Sequence, residues 1–230
     1  MTGPEVTPPA AATGTGRMRG LQVYPMPAQP VFPGRGSKLA GKMLQWLGWK
    51  SYFNGLPETR GLVVVYPHTS NWDFPVGLLF KWAIGVPFRF WIKDSVVNVP
   101  VLGNWIRAIG GVAINRRAAH GVVEETVAQM RQADFFWLAV TPEGTRSKTN
   151  GWRTGFYHLW RAADCPLGLA FIDFGKKEVG VQHFARCSGD MEADFAGLAE
   201  YYAGRSGYHP DNAAPVRPFD RQASRDGSRS

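Results

Sequence analysis

The chain has 230 residues, 44% of them hydrophobic and 13% aromatic, enough to bury one substantial core but hardly two. Its 26 Lys and Arg against 18 Asp and Glu give a net charge of +8, and more than half of that excess lies in residues 1–50, where six basic residues face Glu5 alone. No run of 18 uncharged apolar residues exists, which excludes a membrane-spanning helix, and the start lacks the basic and apolar blocks of a secretory signal, so a cytoplasmic address is expected.

Residues 1–37, rich in Pro, Gly, Ala and Thr without apolar periodicity, read as a disordered basic arm. In residues 38–50, Leu39, Met43, Trp46 and Leu47 recur at helical spacing while Lys38, Lys42 and Gln45 fall elsewhere, predicting a basic amphipathic helix. Two readings stand for it: the stripe packs on the domain, or it lies in a membrane interface with Trp46 and Trp49 at headgroup depth. Short β-rich runs follow at 62–66, 88–92, 112–115, 135–140, 167–172 and 179–182. They alternate with helix-compatible segments at 72–84, 101–108, 118–132, 154–163 and 191–202. That alternation predicts a single α/β domain over 38–205, a mixed, largely parallel sheet flanked by helices, with a flexible tail over 206–230.

Three strands run into polar clusters: Tyr66 into Pro67-His68, Ile114 into Asn115-Arg116-Arg117, and Val140 into the segment from Thr141 to Ser147. Parallel strands would deliver all three to one rim, where ligands of open α/β sheets bind. His68 and Asp73 stand five positions apart. A carboxylate on one imidazole nitrogen fixes the tautomer and leaves the other free to accept a proton, making His68 a candidate general base for a hydroxyl. Against this, Ser70-Asn71-Trp72-Asp73 has capping-box spacing, and Asp73 could merely satisfy a helix-start N–H. Arg116 and Arg146 offer planar forks suited to phosphate, and Gly144 permits a sharp turn close to an anion. Glu143 could form an ion pair with Arg146 that fixes the loop, and Thr145 could be an ordinary turn hydroxyl. The remaining histidines lack clustered acidic or cysteine partners, with His158 read as a packing residue, so no metal site is expected. Cys165 and Cys187 read as reduced packing residues. No zinc-ligand spacing, glycine-rich nucleotide loop or RNA-recognition signature supports a nucleic-acid partner.

These clusters resemble the four ordered blocks of the glycerolipid (lysophospholipid) acyltransferases, the group that includes 1-acylglycerol-3-phosphate acyltransferases. His68-Thr69-Ser70-Asn71-Trp72-Asp73 is similar to the first block, with Pro67 where Asn is usual. Gly110 to Arg116 is similar to the second, with Asn115 in place of Asp. Thr141-Pro142-Glu143-Gly144-Thr145-Arg146-Ser147 is similar to the third, and Cys165 to Ala170 stands where the fourth is expected, keeping one of its two prolines. The resemblance implies transfer of a fatty acyl group from a thioester, acyl-CoA or acyl-acyl-carrier protein, to the hydroxyl of a lysophospholipid such as lysophosphatidic acid. It implies His68 and Asp73 as the catalytic pair, and Arg116 with Glu143, Gly144, Thr145 and Arg146 around the acceptor phosphate. Neither cofactor nor metal is required. Attachment to the cytoplasmic face of a membrane through the helix at 38–50 would replace the hydrophobic anchor of many relatives. The other readings are a non-catalytic module for anionic lipids, a hydrolase, and an acyltransferase for lysolipids without phosphate.

Overall fold

A computed structural model describes residues 20–93, 99–114 and 121–220. In chain order the elements are β1 (Gln22–Val23), α1 (Lys38–Trp46), β2 (Lys50–Phe53), β3 (Arg60–Tyr66), α2 (Asp73–Ile84) and β4 (Arg89–Lys93). Then come α3 (Leu102–Ala108), β5 (Gly111–Ile114), α4 (Val122–Gln132), β6 (Phe136–Val140), α5 (Gly155–Ala163), β7 (Leu167–Asp173), β8 (Glu178–Arg186) and α6 (Met191–Tyr202). The expected mixed α/β class holds. The strands form one sheet in the order β1-β8-β7-β3-β6-β4-β5, with β2 also on β8. The ladders among β7, β3, β6, β4 and β5 are all parallel, and β8 runs antiparallel to β7.

Period-two alternation on the central strands divides the core. Leu62, Val64, Phe136 and Leu138 face a cluster with α4, α5 and α6, while Val63 and Trp137 face one with Leu44 of α1 and Val76, Phe80 and Ile84 of α2. A smaller cluster joins Phe74 and Leu78 of α2 to Ile106 and Ile109 at α3. One helical layer is therefore α1, α2 and α3, and the other is α4, α5 and α6. The helix ends follow their sequence. Asp190 caps α6 by accepting the N–H groups of Glu192 and Ala193, and Gly85 closes α2 in a left-handed conformation, φ 70°, that its missing Cβ permits.

The arm expected over 1–37 is packed from residue 20 onward. Leu21 is buried, β1 pairs with β8, and Val31 bridges Leu56. A Cβ on Gly36 would stand 1.9 Å from the Ala83 carbonyl oxygen, so glycine here lets an extended segment lie on the end of α2. Low complexity removed regular structure but not packing. The tail expected over 206–230 is likewise packed through residue 220. Residues 1–19 and 221–230 lie outside the described part, as do 94–98 and 115–120, which include Asn115, Arg116, Arg117 and His120.

The amphipathic helix is shorter than expected, because Lys50 begins β2. It packs through Ala40 and Leu44, and its Leu39, Met43, Trp46 and Leu47 stripe is exposed, Trp46 at 86%. Trp49, expected to be available at headgroup depth, is instead buried against the Phe174 ring. Among the described residues no helix is long and apolar enough to cross a membrane.

The register of β3 on β6 has a direct test. Gly61 sits opposite Trp137, and a Cβ there would lie 2.4 Å from the buried indole. Gly61→Ala is expected to lower unfolding free energy by about 1–3 kcal/mol through overpacking, read by urea denaturation, and an unchanged midpoint would contradict this register.

Candidate active site

The parallel ladders carry the ends of β3, β6 and β5 to the same rim, as the sequence led one to expect. Successive strands are about 4.8 Å apart, so the end of β5 lies roughly 14 Å from that of β3 across β6 and β4.

His68 follows β3 with its side chain 14% exposed, and its Nδ1 lies 3.1 Å from Oδ2 of Asp73, which is almost fully buried. The same Oδ2 accepts the Ser70 backbone N–H at 2.8 Å. Both sequence readings of Asp73 are thus realised on one oxygen, which closes the helix start and holds the imidazole. Among the described residues Oδ1 of Asp73 has no hydrogen-bond partner, and no protein group takes Nε2 of His68. Nε2 is the nitrogen left for chemistry.

Glu143 departs from expectation. It makes no ion pair with Arg146 and is 1% exposed. Its Oε2 accepts the His68 backbone N–H at 2.6 Å and its Oε1 accepts the Ala214 N–H at 2.9 Å. With both oxygens taken by backbone donors, Glu143 fastens the His68 loop. Burial pushes its carboxyl up to about 7, against the downward pull of the two N–H donors, and the Asp73 charge adds to the rise. Arg146 is exposed and donates from Nε to the Ser70 carbonyl at 3.2 Å, which brings a guanidinium to the His68 loop from the end of β6. Gly144 turns with φ 70°, its N–H donating to the Thr141 carbonyl, and the exposed Thr145 hydroxyl accepts the Ser147 N–H. Arg116 lies outside the described residues, beyond the end of β5.

Sequence reasoning missed the C-terminal strap. The Phe174 N–H donates to the Ser206 carbonyl. Next along the strap, a Cβ on Gly207 would stand 2.4 Å from Oγ1 of the buried Thr69, and that oxygen accepts the His209 N–H. Tyr66 donates its hydroxyl to the Ala214 carbonyl, and Trp152 pairs with the backbone of Arg217 and Phe219. The strap thus grips the His68 loop and the Glu143 loop together. No sequence signal marks it, because the Ala214 contact is a backbone N–H that any residue but proline supplies.

The remaining candidates carry no chemistry here. His158 is exposed, contrary to the packing role expected of it. Cys165 is a free, buried thiol that desolvation pushes up to about 12. Among the described residues no group of three or more His, Cys, Asp and Glu is placed to hold a metal.

An imidazole oriented by a buried carboxylate, with a guanidinium held against its loop from the end of β6, suits removal of a proton from a hydroxyl beside an anionic group. Residues 52–168, just over half of the chain, match the family model described as Acyltransferase, and the chain belongs to that family. Among solved structures it is similar to the 1-acyl-sn-glycerophosphate (LPA) acyltransferase PlsC from Thermotoga maritima, with a TM-score of 0.48, 19% identity, and coverage of 74% of this chain and 79% of that one. No curated protein matches the chain.

The Glu143 clamp predicts a pH effect on stability. A carboxyl raised from 4.5 to about 7 in the folded state binds its proton more tightly there than in the unfolded chain. Its stabilisation is therefore full at acid pH and is lost as pH rises through that window, about 3 kcal/mol in all. Glu143→Gln, which cannot ionise, should flatten this slope in urea titrations between roughly pH 5 and pH 8. An equal slope in both proteins would contradict the assignment.

Proposed function

We propose that the protein transfers a fatty acyl group from an acyl-CoA or acyl-acyl-carrier-protein thioester to the hydroxyl of a lysophospholipid, with lysophosphatidic acid the acceptor best matched to the site. The observation that carries this reading is the single contact between Nδ1 of His68 and the buried Oδ2 of Asp73. In the proposed reaction, Nε2 of His68 takes the acceptor's hydroxyl proton as that oxygen attacks the thioester carbonyl. Asp73 stabilises the imidazolium that forms. The tetrahedral adduct then expels the thiolate, which recovers the proton from the imidazolium, leaving an ester and a free thiol. Arg146 receives the acceptor phosphate, and Arg116, which comes two residues after β5 in the sequence, is assigned the same part. Gly144 and Thr145 shape the Arg146 loop, and Glu143 acts by fixing the backbone of His68.

The N–H groups from Ser70 to Trp72 are natural candidates for stabilising the oxyanion, but two are engaged: Ser70 donates to Asp73 and Trp72 to the Ser70 hydroxyl. Asn71 is the one that remains for this part.

His68→Ala should lower acyl transfer by about 10²–10⁴-fold with little change in thermal stability, read by mass measurement of products from labelled thioester and lysolipid. Transfer at the wild-type rate would eliminate His68 as the base, and free fatty acid as the sole product would make the chain a hydrolase. Arg146→Ala should raise KM for lysophosphatidic acid far more than for an acceptor without phosphate. Equal effects on both would remove Arg146 from phosphate binding.

A further inference from the structure

The two helical layers differ in what they show to solvent. On the α1–α2–α3 side, α1 exposes Leu39, Met43, Trp46 and Leu47, α2 exposes Trp82 and is preceded by exposed Trp72, and α3 exposes Leu102 and Trp105 after Val101 at 82%. Among the described residues, α4, α5 and α6 expose no large hydrophobic side chain. A monomer does not ordinarily gather exposed indoles and aliphatic side chains on one side only.

Charge divides the same way. Across the described residues 34–56, 72–93 and 99–114, the sole acidic residue is Asp73, which is buried in the site. Exposed cations on this layer include Arg35, Lys38, Lys42 and Arg107, and Lys177 beside it donates to the Leu47 carbonyl. The opposite layer exposes Glu124, Glu125, Glu192 and Glu200. Indoles and aliphatic side chains among cations, with no exposed carboxylate among these described residues, match an anionic bilayer in both its apolar and its electrostatic terms. The layer also reaches the site, because Trp72 stands between His68 and Asp73 in the chain.

We infer that the whole α1–α2–α3 layer, and not α1 alone, is a docking face for an anionic lipid bilayer, setting the protein on the surface with the His68 rim at its edge. This rests on the proposed function only in taking the acceptor to be a lipid. The α1 and α3 contributions reinforce each other because both engage one surface, so loss of either weakens binding.

The test is sedimentation of the full chain with phosphatidylcholine vesicles, with and without phosphatidylglycerol. The expected result is binding that requires the anionic lipid and falls with salt. Leu39→Ser with Trp46→Ser on α1, and Val101→Ser with Trp105→Ser on α3, should each reduce it about ten-fold or more. Lys38→Ser with Lys42→Ser should reduce it about five-fold per residue, whereas Arg161→Ser on the opposite layer should leave it unchanged. Binding indifferent to phosphatidylglycerol, an unaffected α3 variant, or equal loss in Arg161→Ser would each overturn the inference. So would no vesicle binding together with capture of an acidic acyl-carrier protein by this face. Circular dichroism melts confirm that each variant is folded, and transfer to a short-chain, monomeric lysolipid should be unchanged in the α1 and α3 variants. A wild type that binds vesicles but transfers no acyl group would refute the proposed function and leave the docking face standing.

Discussion

One buried oxygen, Oδ2 of Asp73, links the architecture of this protein to its chemistry. It accepts the Ser70 N–H where α2 begins and meets Nδ1 of His68. Capping a helix and orienting an imidazole usually fall to different groups; here the turn that starts α2 is also the turn that aims the imidazole. Everything around it holds that turn still. Glu143 takes the His68 N–H from one side, the strap takes Thr69 from another, and Arg146 grips the Ser70 carbonyl. The loop after β3 is thereby fixed by contacts from β6 and from the C-terminal strap, segments far apart in the chain. Such fixing is what the proposed proton transfer needs, because its geometry tolerates little displacement.

The sheet supplies the other half of the arrangement. Because β3, β6 and β5 are parallel, their polar ends share a rim without any need for long excursions of the chain. The carboxyl of Glu143 is tolerated in this buried setting because both oxygens have backbone donors, yet its proton affinity rises. The clamp is therefore expected to make stability fall as pH rises through the range between the ordinary and the raised value of this carboxyl. Beyond the rim, the apolar and cationic side chains of α1, α2 and α3 face outward as a group, so the layer that carries Asp73 in its central helix is also the one best suited to meet a lipid surface.

Much of this was legible in the sequence because it rests on local patterns. Short β-rich runs located the central strands, and the longer helix-compatible segments between them located α2 and α6. The pairing of His68 with Asp73 followed from a spacing that one turn of chain can close. What the sequence hid depends on contacts that leave no residue signature. The use of Glu143 as a clamp is invisible beside Arg146, since a neighbouring opposite charge suggests an ion pair until the backbone donors are seen. The packing of residues 20–37 and 206–220 was masked by compositions typical of loose chain, because backbone hydrogen bonds and missing glycine side chains, not apolar periodicity, hold them in place. The amphipathic stripe on α1 could be read either way, and only burial of Ala40 and Leu44 on its other side decides that the stripe faces out.

The most direct test of the account is the tautomer of His68, read by ¹⁵N chemical shifts of the imidazole nitrogens in the full chain at a pH where the ring is neutral. Asp73 should hold the proton on Nδ1, leaving Nε2 with the shift of an unprotonated nitrogen. A neutral ring protonated on Nε2 would have no free electron pair where a hydroxyl must be activated, and would contradict the mechanism at its base.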